Sequence, residues 1–133
     1  MDNFNSKEYC DWCVDFVRQF EKNFTGKPED VSDMDNILEI IHNDYREGKI
    51  TENMAWQVAF NMGVYLGQIM LDNFLSEYGF LWAVDEGEPY LRKDSKNHMY
   101  PLGKVMKRIV NGREDDVKSF YDVAVYLAQK SMK

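Results

Sequence analysis

Positive charge is what this chain has least of relative to its opposite. Sixteen Lys and Arg stand against twenty-three Asp and Glu, a formal −7 at neutral pH. A protein of that sign is repelled by phosphate backbones and by anionic lipid surfaces unless its charges segregate. Nucleic acid is thereby excluded as a default partner, and a basic protein is the better expectation. Long apolar runs are also missing. The most hydrophobic stretch, MAWQVAFNMGVYLGQIMLDNFL, is broken by Gln57, Asn61, Gln68, Asp72 and Asn73, which excludes a membrane span. The opening MDNFNSKEYC carries neither the basic nor the apolar region of a secretory signal. Two cysteines suit a cytoplasmic chain whose thiols stay reduced. There is no calcium loop, no H-E-x-x-H pair and no glycine-rich phosphate loop; GVYLG lacks the Lys-Ser/Thr that would follow one. No cofactor and no metal are expected.

What is present is core material. Hydrophobic residues make up 44% and aromatics 14% of 133 residues, enough for a single domain over 1–133 that buries its core without staples. A first helix is expected over about 5–24, with Tyr9, Cys13, Phe16, Val17, Phe20 and Phe24 recurring at three and four, and GKP stopping it. A second begins near Ser32 as N-cap, carries Met34, Ile37, Leu38, Ile41 and Tyr45, and ends with Gly48 left-handed. The third is the longest, from after Thr51 to about Tyr78. It is apolar on most of its circumference, so it belongs at the centre. Gly63 and Gly67 lie one turn apart on one face. Each costs about 1 kcal/mol against alanine, so a close neighbour is expected there.

The chain then changes character. FLWAV and PYLR are separated by the turn-like DEGE, and HMY follows KDSKN, which predicts a hairpin or a three-strand meander. Pro89 and Pro101 fit strand starts or edges. A fourth helix follows Pro101, with Leu102, Val105, Met106 and Ile109 inward and Lys104, Lys107 and Arg108 on a solvated face. Asn111-Gly112 ends it. REDD seeds a fifth, with Asp115 and Asp116 in its first turn and Lys130 and Lys133 near its end. The fold class is therefore α+β: five helices around a central long one, with a small antiparallel sheet of two or three strands.

Cys10 and Cys13 are the one pair that looks like chemistry. A redox C-x-x-C opens a helix after a strand, and none precedes this one; a zinc site needs a second pair, and His42 and His98 are too far apart to supply it. Core packing of Cys13, with Cys10 at the margin, is the simpler reading, and it leaves Trp12 off the main stripe in need of another neighbour. His42 and His98 read as surface histidines. The acidic clusters at 29–35 and 114–116 are explained by helix starts, and that at 85–88 by a turn. The tryptophans Trp12, Trp56 and Trp82 are accounted for by packing, although Trp82 exposed on the sheet could anchor a partner.

From Val58 to Tyr126, the succession GVYLG, GFLW, YP, KRIVNGRED and SFYD resembles a family of small bacterial domains. That family is similar to proteins encoded near polymorphic toxins, some of which act as immunity proteins. The resemblance covers about half the chain, rests on structural motifs, and carries over no catalytic residue. Small size, the −7 charge and the lack of an assembled catalytic motif point to a non-enzymatic, cytoplasmic binding protein with a basic protein partner, and the resemblance implies an immunity-type inhibitor. The candidate contacts are Trp82, Asp85, Glu86 and Glu88. The alternative is a small-ligand protein or enzyme with an anion site near the sheet and the fourth helix, at Arg92, Lys107 and Arg108.

Overall fold

The computed structural model describes residues 4–131; Lys133, expected to complement the last helix dipole, and the start of the MDNF segment lie outside them. Five helices and a three-stranded sheet follow one another as α1 (Lys7–Val17), α2 (Glu29–Arg46), α3 (Glu52–Asn73), β1 (Leu81–Asp85), β2 (Glu88–Asp94), β3 (Asn97–Met99), α4 (Pro101–Asn111) and α5 (Val117–Ser131). The class is α+β, with a long central helix and a small antiparallel sheet of order β1-β2-β3.

α3 holds the centre. Residues Met62 through Gly67 are all buried, and α1, α4 and the sheet lie against it. Thr51 caps it, its Oγ1 accepting from the Met54 N–H at 3.1 Å. The two glycines do what their cost implied. A Cβ on Gly63 would stand 2.5 Å from the Leu102 Cα of α4, and one on Gly67 2.5 Å from the Trp82 ring and 3.1 Å from Pro101. Both sites admit another element only because no side chain is there.

The meander is built from its turns. Glu86 and Gly87 both have positive φ, at +52° and +84°, the pattern of a two-residue type I′ hairpin. Pro89 sits at the second residue of the central strand, where β3 does not reach; β3 pairs only from Leu91 onward. Pro101 opens α4 at its first turn rather than ending a strand, since its missing N–H is not needed there. Leu91 and Trp82, paired in register, face the helices, whereas Leu81, Tyr90, Arg92 and His98 share the outer face.

Several boundaries differ from expectation. α1 ends at Val17, passes through a 3-10 turn and is broken at Glu21, whose φ is +61°. Phe24 is still buried, but from a loop, stacked on Tyr65 at 5.3 Å. α2 begins at Glu29, ahead of Ser32, because Pro28 already holds φ at −54° and Glu29 and Asp30 suit the first turn. α3 ends at Asn73; a 3-10 turn over Leu75–Tyr78 then runs to Gly79, at φ +92°. α5 starts at Val117. Asp116 caps it, accepting from the Ser119 N–H at 3.1 Å and from its hydroxyl at 3.0 Å, so Asp115 and Asp116 precede the helix rather than fill its first turn.

Candidate functional site

The surroundings of the two cysteines favour the thiol over the thiolate. Cys13 is fully buried, and burial holds its thiol well above the ordinary value. Cys10 is half-buried; desolvation pushes it up to about 11, against a hydrogen bond with Ser6 that lowers it. Nucleophiles and metal ligands are thiolates, and both sites disfavour the thiolate. Among the described residues, no three His, Cys, Asp or Glu side chains group to hold a metal. Trp12 finds its second neighbour in Phe16, ring on ring at 4.8 Å.

Two carboxylates of α2 turn out to be hubs, and the helix dipole alone does not account for them. Asp30 is buried, and its Oδ2 accepts from the Thr25 and Gly26 N–H groups at 2.9 and 2.8 Å and from the Tyr65 hydroxyl at 2.6 Å. It ties the α1–α2 loop to α3, and burial with this carboxylate beside it raises the Tyr65 phenol above its ordinary range. Asp35 joins three elements. Its Oδ1 accepts from Arg108 Nε at 3.1 Å and from the Val117 N–H at 2.9 Å, and its Oδ2 from the Lys118 N–H at 2.8 Å. One carboxylate thus neutralises a guanidinium and satisfies two backbone donors at the start of α5.

Arg108 overturns the solvated-face expectation. Its exposure is 0%, Nη2 donates to the Asp35 carbonyl at 3.1 Å, and it lies 3.0 Å from Glu39 Oε1, a charge contact without hydrogen-bond alignment. On α4, Arg108 stands about 60° from Val105, on the flank of the apolar stripe rather than opposite it. It cannot reach an anion from outside. His42 is likewise buried, not a surface histidine: its Nδ1 is 2.6 Å from the Ile109 carbonyl, and its ring lies against Gly112, where a Cβ would be 2.9 Å from Nε2.

Trp82 is half-buried. Its ring fills the space left by Gly67, and its Nε1 donates to Gln68 Oε1 at 2.9 Å. Asp85 and Glu86 are exposed at the hairpin tip, apart from the Trp82 ring. Arg92 is exposed on the outer sheet face. The trio Arg92, Lys107 and Arg108 is therefore not assembled into one site.

What is assembled is a groove between β3, α4 and α5. An open depression of about 590 Å³ is lined by Trp56, Glu88, His98, Met99, Tyr100, Gly103, Lys104, Lys107 and Phe120. A second, of about 340 Å³, shares Met99, Lys104 and Phe120 with it and continues along α5 to Val123 and Leu127. A third, also about 340 Å³, shares Trp56, Gly103 and Lys107 and reaches Val110. Trp56, Tyr100, Val110, Val123 and Leu127 are large apolar residues left exposed along this one surface. Tyr100 stacks on Tyr90 at 5.2 Å, with His98 edge-on to it at 5.4 Å, which stiffens the sheet side of the rim. Lys104 is spent on Asp115 at 3.0 Å; hydrogen bonds from Asn111 and Lys104 hold that carboxyl below its usual range.

Of the candidate partner and anion contacts, Glu88 and Lys107 line this groove, and Trp82, Asp85, Glu86, Arg92 and Arg108 do not. Trp56 was read as core and lies on its wall. No protein-family model, curated protein or solved structure matches this chain. Function has to be read from geometry and charge.

Proposed function

We propose that this chain is a non-enzymatic, cytoplasmic binding protein, an acidic immunity-type inhibitor, which holds a basic protein partner in the groove between β3, α4 and α5. The observation that carries this reading is an apolar floor inside an acidic rim. Exposed apolar side chains line the floor. Glu88, Glu114 and Asp116 line it against Lys104 and Lys107, and Lys104 is already paired with Asp115. Burying apolar surface supplies affinity, and the acidic surround speeds association with a cation-rich surface.

The test is a binding measurement against the products of the adjacent genes. A basic partner should bind, bind less well as salt is raised, and lose at least tenfold in affinity to Val123→Ser with Leu127→Ser. Both side chains are exposed, so the pair should move stability by no more than about 1 kcal/mol. Binding that ignores both salt and the serines would sink the proposal. The alternative, an anion-binding small-ligand protein or enzyme, draws on one observation: Lys107 is exposed in the groove with no ion-pair partner among the described residues. Thermal stabilisation by anionic metabolites, lost in Lys107→Met, would favour it.

A further inference from the structure

We infer that the sheet end of this groove is a binding site for a small zwitterion with an aromatic body, the class of the aromatic amino acids. The site goes beyond the binding-protein reading and stands apart from it, since Val123 and Leu127 take no part in it. Three observations carry it. First, two opposite charges face one depression and are not paired. Glu88 of β2 and Lys107 of α4 both line it, and among the described residues neither side chain makes a hydrogen bond or an ion pair. Lys104, the third charge on the wall, is already matched by Asp115 at 3.0 Å. An anion in this depression would leave Glu88 unanswered, and a cation would leave Lys107 so. A carboxylate and an ammonium carried on one small molecule answer both.

Second, the same depression has aromatic walls. Trp56, Tyr100 and Phe120 line it, and the first two are exposed. Tyr100 is held by its stack on Tyr90 at 5.2 Å, so a flat ring meets a surface already in order. The volume of about 590 Å³ suits a small molecule, for which pockets run about 300–1,000 Å³. Third, Gly103 is a helical glycine that the chain itself does not use. Gly63 and Gly67 make room for α4 and the Trp82 ring, but a Cβ on Gly103 would meet only the Tyr100 Cβ, at 4.0 Å. It lies within α4, where no turn asks for glycine and glycine is a poor helix former. The space its missing side chain leaves belongs to the depression. An aromatic body laid on Trp56 and Tyr100 can use it, with its carboxylate towards Lys107 and its ammonium towards Glu88.

The probes are free tryptophan and phenylalanine, titrated calorimetrically onto the intact chain beside their deaminated analogues (indole-3-propionate, phenylpropionate) and their decarboxylated ones (tryptamine, phenethylamine). Free alanine serves as the zwitterion without a ring. The better of the two amino acids should bind at least tenfold more tightly than either of its analogues and than alanine. Glu88→Gln should abolish its preference over the deaminated analogue, and Lys107→Met its preference over the decarboxylated one. Gly103→Leu should weaken its binding at least tenfold without lowering the melting temperature, because the fold has room for that side chain. A deaminated analogue that binds as well as its amino acid would overturn the zwitterion and leave the anion-binding alternative standing. A decarboxylated analogue or alanine binding as well, or no binding by either amino acid, would also overturn it. The basic-partner reading, tested on Val123 and Leu127, survives all of these outcomes.

Discussion

Lys107 and Arg108 are adjacent, equally charged, and treated in opposite ways by the fold. On the side of α4 that meets α2 and α5, Arg108 is buried against Asp35 and Glu39, and the Asp35 carboxylate also collects the first N–H groups of α5. On the side that meets β3, Lys107 stands in an open groove with apolar neighbours still exposed. The first face is closed and its charges are answered within the chain, although Arg108 Nη1 and Glu39 Oε1 are buried without a hydrogen-bond partner. The second keeps surface that a monomer gains by covering. A buried charge shows where the fold is committed; uncovered apolar surface shows where something else can still bind.

Arg108→Met tests that contrast most severely. It keeps most of the volume but leaves the Asp35 carboxylate without its guanidinium, and losing one member of a buried pair costs about 3–5 kcal/mol. Urea unfolding should show a loss of that size, whereas Lys107→Met should stay within about 0.5 kcal/mol. Equal effects would erase the distinction between the two faces. Next in size come the glycines that let α4 and the sheet sit on α3. Gly63→Ala drives a Cβ into the Leu102 backbone, and Gly67→Ala into the movable Trp82 ring. Overpacking costs about 1–3 kcal/mol and is partly offset by the gain in helix propensity, about 1 kcal/mol. The Gly63 variant should be the less stable of the two, because backbone yields less than a ring. The reverse order in thermal melts would show that α4 is not rigidly seated.

The smallest effect is on alkaline stability. Cys10, Cys13 and Tyr65 keep their protons in the fold at pH values where the unfolded chain loses them, chiefly because burial disfavours their anions. The Cys10 contribution is complete below the ordinary thiol value of 9 and is lost as pH rises towards about 11, while those of Cys13 and Tyr65 persist to higher pH. Urea midpoints should fall over that window, and Cys10→Ala should flatten part of the decline. An unchanged slope would place the Cys10 thiol in water.

How much of this was legible beforehand follows from the range of each interaction. The start of the third helix after Thr51, the Gly63 and Gly67 approach, Gly48 at φ +75° and the Glu86-Gly87 turn depend on periodicity or on a local backbone angle, and each stands where sequence placed it. The start of α2 was missed because Ser32 competes with Pro28 as a start signal, and the fixed φ of proline won. Arg108 was misassigned because a basic residue on a stripe's flank looks solvated until its acid is known, and that acid lies 73 residues away. A closer helical wheel would have flagged it. Nothing local would have named Asp35 or Asp30, since carboxylates near a helix start are ordinary there. Trp56 and Trp82 exchanged roles for the same reason: an aromatic fits either core or surface, and its neighbours decide.

By itself, then, the sequence determined the elements, their turns, the acidic balance and the small-residue face of α3, because propensity, φ restriction and charge are properties of neighbouring residues. Only the tertiary structure decided which arginine is buried, which tryptophan is exposed and where apolar surface remains uncovered. Those outcomes depend on which distant groups meet to satisfy a charge, and on where the chain has no further element to lay over its own hydrophobic side chains.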